Sequence, residues 1–198
     1  MITNPVIKNI LARRSVRAFT AQQLSDEELK TLLDCALYAP TGGNSQRTRF
    51  LVIQAPERLE ELNRALCTEL AARELIKGQY MNKGILAARK EGFHFFYHAP
   101  AVISAVAPRD CDNAMADCAM ALENVQLAAV ALGLGACWAN QPHWLTDVPA
   151  VRAVFQPLGL KEEEDIFGSV SVGYPARPAR TAGPRKEGRI ALDIPRML

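Results

Sequence analysis

The segment that most constrains this chain is a helix with no wet face. Beyond Pro108, Asp112 or Asn113 caps a run reaching about Leu132. Met115, Ala116, Cys118, Ala119, Met120, Ala121, Leu122, Val125, Leu127 and Ala128 spread over every side of it. An all-round apolar helix of this kind has to lie inside something. At 198 residues the chain is long enough for one substantial core and is read as one domain over 1–198. A subunit interface is then one way to cover what the chain's own core leaves bare.

Strands and helices alternate around that segment. Asn4-Pro5 reads as a cap with proline at the first helical position, opening a short helix to about Ala12, and Arg13–Arg17 follows as an extended basic segment. Ser25 and Glu28 form a capping box for a helix to about Ala39, with Leu29, Leu32, Leu33, Ala36 and Leu37 on one face and Pro40 as its stop. Thr41–Gln46 is a polar turn, Phe50–Gln54 a buried strand, and Pro56 starts a helix to about Arg73. Residues 74–98, with glycines and an aromatic cluster, read as short helices in a mobile excursion. A strand over Ala101–Ala107, another over Ala136–Ala139, a helix after Thr146 or Asp147 and a last strand over Ile166–Gly173 complete an α/β or α+β sandwich.

Composition excludes several classes. A formal charge of +2 gives no footprint for nucleic acid, and no apolar run reaches the length of a membrane span. The N-terminus lacks the order of a secretory signal, so a cytoplasmic location is expected. Five cysteines without a CxxC pair fit reduced, mostly buried thiols with no catalytic task. The stretch from Arg177 is basic, with six Lys/Arg against Glu187 and Asp193. Alone, it reads as a solvated tail.

Three constellations have the residue types for chemistry. Arg13, Arg14, Ser15 and Arg17 offer fixed donors and permanent charge to phosphate or a developing oxyanion, or else complement a helix C-terminus. Pro40-Thr41-Gly42-Gly43-Asn44-Ser45-Gln46 lets backbone approach a ligand while hydroxyl and amides read a ring edge, or else is a plain connector. Gly133-Leu134-Gly135-Ala136-Cys137-Trp138, ending in Asn140-Gln141, is not a dinucleotide fingerprint.

Taken in order, RRSVR, APTGGNSQ, the apolar helix running into LGLGACW, and GYPA (Gly173 to Ala176) with its basic tail resemble the nitroreductase-like flavoenzymes, from Ile10 to about Ile190. The resemblance implies an α+β fold with a central, mostly antiparallel sheet flanked by helices, in an intertwined homodimer holding FMN at the interface. It further implies flavin contacts from Arg13, Arg14 and Ser15, with Arg13 towards the phosphate and Arg17 beside the N1–C2=O edge. Pro40, Thr41, Gly42, Asn44 and Gln46 would approach from the partner subunit. Trp138, Ala139 and Asn140 would lie over N5, and Arg185 and Lys186 would grip the phosphate. The implied activity is electron transfer from NADH or NADPH through FMN to nitroaromatics, quinones or similar electron-poor acceptors by a ping-pong mechanism, with no catalytic side chain.

The chain departs from the family pattern at Arg47-Thr48-Arg49 and at Asn140, which bears on substrate choice. Other open readings are an oxygen-dependent or dehalogenating flavoenzyme, an FMN-storage protein, and a flavin-free α/β interaction protein. His94 and His98, spaced for metal on a helix, read as core or lid aromatics for want of a third ligand. Phe93, Phe95, Phe96 and Tyr97 read as lining a flat substrate pocket or as core, with the pocket favoured because aromatic, glycine-bounded segments often serve as lids. Asp117 and Glu123 read as capping, pairing or interface groups.

Overall fold

The computed structural model describes residues 2–179 and 181–191. Four strands, β1 (Arg49–Ile53), β2 (Ala101–Pro108), β3 (Gly135–Ala139) and β4 (Glu164–Gly173), form one sheet ordered β1-β2-β4-β3, antiparallel at every pairing. The helices are α1 (Pro5–Ala12), α2 (Asp26–Leu37), α3 (Pro56–Ala71), α4 (Asn82–Ala88), α5 (Ala114–Ala131), α6 (Gln141–Trp144) and α7 (Pro149–Phe155). This is the α+β arrangement expected. Among the described residues no helix is long and apolar enough to cross a membrane.

The sheet divides the interior because side chains alternate across a strand. On β2, Ala101, Ile103, Ala105 and Ala107 face the cluster built by α2 and α5, whereas Val102 and Val106 face α3, α4 and α7. The α5 side of β2 is mostly alanine, and α5 answers with Ala114, Ala121 and Ala129, so that helix lies close on the sheet. The opposite layer takes larger side chains. Leu59, Leu62, Leu66 and Leu70 form an i, i+3/i+4 stripe along α3, each contributing about 1.5–3 kcal/mol by burial. Two polar groups at the sheet centre satisfy one another: Ser104 and Ser169 are register partners with their Oγ atoms 2.7 Å apart.

Local signals hold where they are most specific. Asn4 Oδ1 accepts from Ile7 N at 2.9 Å, and Ser25 with Glu28 makes both bonds of the capping box. The expectation of a cap for α5 is corrected: Asn113 occupies the cap position, yet its side chain accepts no helix N–H. It packs against Gly42 instead, where an added Cβ would come 2.1 Å from its Nδ2. The four-residue α6 has no sequence counterpart; Pro142 in its first turn was its only mark. Within 74–98 only α4 is helical, and Phe95 and Phe96 are core at 3% and 0% exposure. Burial of this pair decides between pocket and core in favour of core, against the pocket that the sequence favours.

Within this chain α5 is covered on one side, by the sheet and α2. Met115 and Met120 on α5, Val6, Ile10 and Leu11 on α1, and Leu37 and Tyr38 at the end of α2 stay exposed. Asn9 Nδ2 ties α1 to α5 through the Leu127 carbonyl at 2.8 Å.

Candidate functional site

The basic segment after α1 is stitched to the sheet edge. Ser15 forms an isolated parallel bridge with Ala136, and Val16 N donates to the Ala136 carbonyl at 2.9 Å. Gly135 makes this approach possible, since a Cβ there would lie 2.7 Å from Val16 Cγ2. Further on, Phe19 bridges Pro175, Thr20 N donates to Tyr174 O, and Ala176 N donates to Ala18 O, both at 2.9 Å. Two short segments, one from each end of the chain, thus run side by side.

Between them lies a groove of about 340 Å³ lined by Arg14, Ser15, Val16, Arg17, Ala18, Arg177, Pro178 and Ala179. Three of the lining residues are arginines, and arginine cannot shed its charge at physiological pH. Arg14 Nη1 is spent on the carbonyls of Leu11 and Arg13, at 2.7 and 2.6 Å, while its Nε is buried without a partner. A buried donor of that kind has reason to meet an acceptor from a ligand. The donor set suits a phosphate and a ring edge rich in carbonyl oxygens.

Some expected residues lie elsewhere. Arg13 does not line the groove; it turns to α5, donating to Gln126 Oε1 at 3.4 Å and pairing with Glu123 Oε1 at 3.6 Å. None of Pro40, Thr41, Gly42, Asn44 and Gln46 lines it either. Their loop is nonetheless built with care. Gly43, Asn44 and Gln46 take left-handed backbone, Thr41 Oγ1 accepts from Gln46 N at 3.0 Å, and Asn44 Oδ1 accepts from Gln46 Nε2 at 3.1 Å. Buried Asp117 anchors the loop, its two oxygens 3.1 and 3.3 Å from Gly42 N. Asp117→Ala strands that amide, and thermal unfolding is expected to show a loss of about 1–3 kcal/mol. Asp117→Asn, which keeps an acceptor, should recover part of it.

Trp138 and Asn140 form a unit at the end of β3: the indole Nε1 donates to Asn140 Oδ1 at 3.1 Å. The indole lies over Gly168, where a Cβ would meet its ring at 2.5 Å. Ala139 is buried in the α3 and α7 layer. Arg185 and Lys186 are exposed, and Arg185 Nη1 donates to the Gly183 carbonyl at 3.4 Å. Arg180, Asp193 and Arg196 of the basic tail lie outside the described residues. Among the described residues, the charged tail residue that lines the groove is Arg177, whose one signal is its place just after GYPA. Arg47, the other departure, pairs with Asp110 at 2.6 Å.

Glu60 supplies the third potential ligand beside His94 and His98 that the sequence did not reveal. Hydrogen bonding argues against metal there. His94 is not on a helix, and its Nδ1 accepts from Phe96 N at 3.1 Å and His98 N at 3.4 Å. That places the proton on Nε2, facing Glu60 Oε1 at 3.4 Å, and leaves this ring no lone pair for a cation. All five cysteines are free thiols; burial pushes Cys118 up to about 12 and raises Cys137, so neither is poised as a nucleophile.

Comparison with known proteins agrees with this architecture. Residues 10–174 match the Nitroreductase family. The crystal structure of a nitroreductase with bound FMN from Bacteroides fragilis superposes with a TM-score of 0.87 at 32% identity, covering 97% of this chain and all of that one. The YdjA protein of Escherichia coli K12 is 30% identical, over 87% of this chain and 90% of its own length. The FMN reductase (NADPH) of Bacillus subtilis is 27% identical, over 87% of this chain and 67% of its own. With sheet, groove and sequence in accord, the chain belongs to the Nitroreductase family.

Proposed function

We propose that this protein is an FMN-dependent oxidoreductase, one flavin-binding unit per chain, passing electrons from NADH or NADPH to electron-poor acceptors such as nitroaromatics or quinones. The carrying observation is the cationic groove between Ser15–Ala18 and Arg177–Ala179, with the unpartnered Nε of Arg14 in its wall. Bound there, FMN would supply the redox chemistry, accepting two electrons from one substrate and giving them to the next. The chain's own residues bind, orient and tune. Arg14 and Arg177 offer charge-assisted donors to a phosphate, and Arg17 a fixed cation to the ring edge where negative charge accumulates on reduction. No side chain need act as nucleophile, so donor and acceptor take turns at one site.

A homodimer completes the reading. The exposed apolar residues of α1 and α5, with those at the end of α2, supply a surface for a second copy. The Thr41–Gln46 loop, absent from its own groove, is then free to serve the partner's. Cytoplasmic location is part of the same proposal.

The test is an absorption spectrum of the purified protein, then anaerobic titration with NADH and with NADPH. A flavin spectrum that bleaches with one or both is expected. Colourless protein that does not take up FMN would overturn the reading, and bound FMN that resists both nicotinamides would reduce it to flavin binding.

A further inference from the structure

Two consecutive residues bearing side chains, Tyr97 and His98, take left-handed backbone, with φ of 56° and 54°. Such a conformation is uncommon outside glycine and persists only where the surroundings enforce it. Here the enforcement is visible. Asn63, buried on α3, accepts from Phe95 N at 2.9 Å through Oδ1 and donates to the Phe93 carbonyl at 3.2 Å through Nδ2. His94 Nδ1 receives the amides of Phe96 and His98. Phe95 and Phe96 lock the turn into the core. Glycine at position 97 would make the same turn without strain, yet the chain carries a tyrosine.

The phenol ring is what the clamp delivers. Arg17 Cζ lies 6.0 Å from the centroid of Tyr97, within reach of a cation–π contact. Burial raises the phenol's pKa, so the ring meets the guanidinium as a neutral group. Tyr97 and Arg17 also border a second cavity, of about 350 Å³, which shares Arg17 and Ala18 with the groove. Arg17 is exposed in this chain and has a long flexible stem. Left free, it would spread over many rotamers, and a charge stabilises a developing anion best when it is already in place.

We propose that Tyr97 is a positioning residue of the flavin site, holding the Arg17 guanidinium at the groove, and that Asn63 and His94 are the clamp that aims it. The proposal rests on the role given to Arg17 above. It makes the 93–98 turn part of the redox machinery rather than a connection between α4 and β2.

The test combines flavin midpoint potential and reduction rate in the FMN-loaded protein with melting of the apoprotein. Tyr97→Ala should lower the potential in the direction of Arg17→Ala and slow reduction by about 2- to 5-fold, while Tyr97→Phe keeps both. In an Arg17→Ala background Tyr97→Ala should change neither further, because the two act as one unit. The apoprotein of Tyr97→Gly should melt about 2–4 °C above that of Tyr97→Ala as the strain is released. An unchanged potential in Tyr97→Ala, or an equal shift with and without Arg17, would overturn the proposal alone. An unchanged potential in Arg17→Ala would overturn the role of Arg17, and this proposal with it.

Discussion

Arg17→Ala is expected to slow reduction of the bound flavin by about 100-fold and to lower its midpoint potential, the size typical of removing one preorganised group from a developing anion. Arg17 is carried on the segment that the Ser15–Ala136 bridge fixes to β3, and it borders both cavities of the site. Reduction adds electrons to the ring, and a permanent cation beside the N1–C2=O edge stabilises the reduced form more than the oxidised one. The side chain is open to solvent in the single chain, so screening keeps the expectation at the lower end of the usual range. Arg17→Lys retains charge but loses the planar fork and its stacking on the ring, and should fall between wild type and alanine. Anaerobic stopped-flow mixing with nicotinamide and potentiometry of the same samples read both effects. A wild-type potential in Arg17→Ala would remove this assignment.

Much of the fold was legible because its signals are local. Asn4-Pro5, the Ser25/Glu28 box and the short apolar strand runs act within a few residues, and the elements they predict stand where expected. What the sequence hid depends on distant chain segments meeting. Nothing near Asp117 marks it as the acceptor for Gly42, 75 residues away. Asn113 was a natural helix cap by type, but the close approach of Gly42 claims its side chain. Arg177 enters the groove only because Phe19 and Pro175 pair across the chain's ends. The aromatic run 93–97 could not be divided into core and pocket by composition, since Asn63, on α3, bonds the turn's backbone and so bears on which rings turn inward. Within the RRSVR motif, Arg14, Ser15 and Arg17 line the groove. Arg13 points to α5, where it pairs with Glu123.

His94 should give the protein an acid-sensitive stability distinct from general carboxylate titration. Its ring is almost wholly buried and already receives two backbone amides at Nδ1. Protonation there destroys the acceptor and places a charge in a poorly solvated site. Burial, reinforced by the neighbouring His98 and opposed by the Glu60 carboxylate, lowers its pKa from 6.5 to about 4. The sign follows from proton counting. Between those two values the unfolded chain holds a proton that the folded chain does not, so stability rises with pH across that window. It is complete above about 6.5, falls as the pH drops, and the loss is finished once the folded ring also protonates, near 4. The depression corresponds to about 3 kcal/mol. Denaturant unfolding of the apoprotein at intervals from pH 7.5 to 4 should therefore show a decline that is absent from His94→Gln, with the difference between the two proteins isolating this ring from Glu28 and other acids. Glu60→Gln removes the opposing carboxylate and should steepen the decline at its acid end. Parallel curves for wild type and His94→Gln would mean that the ring does not titrate between the folded and unfolded states as its surroundings require.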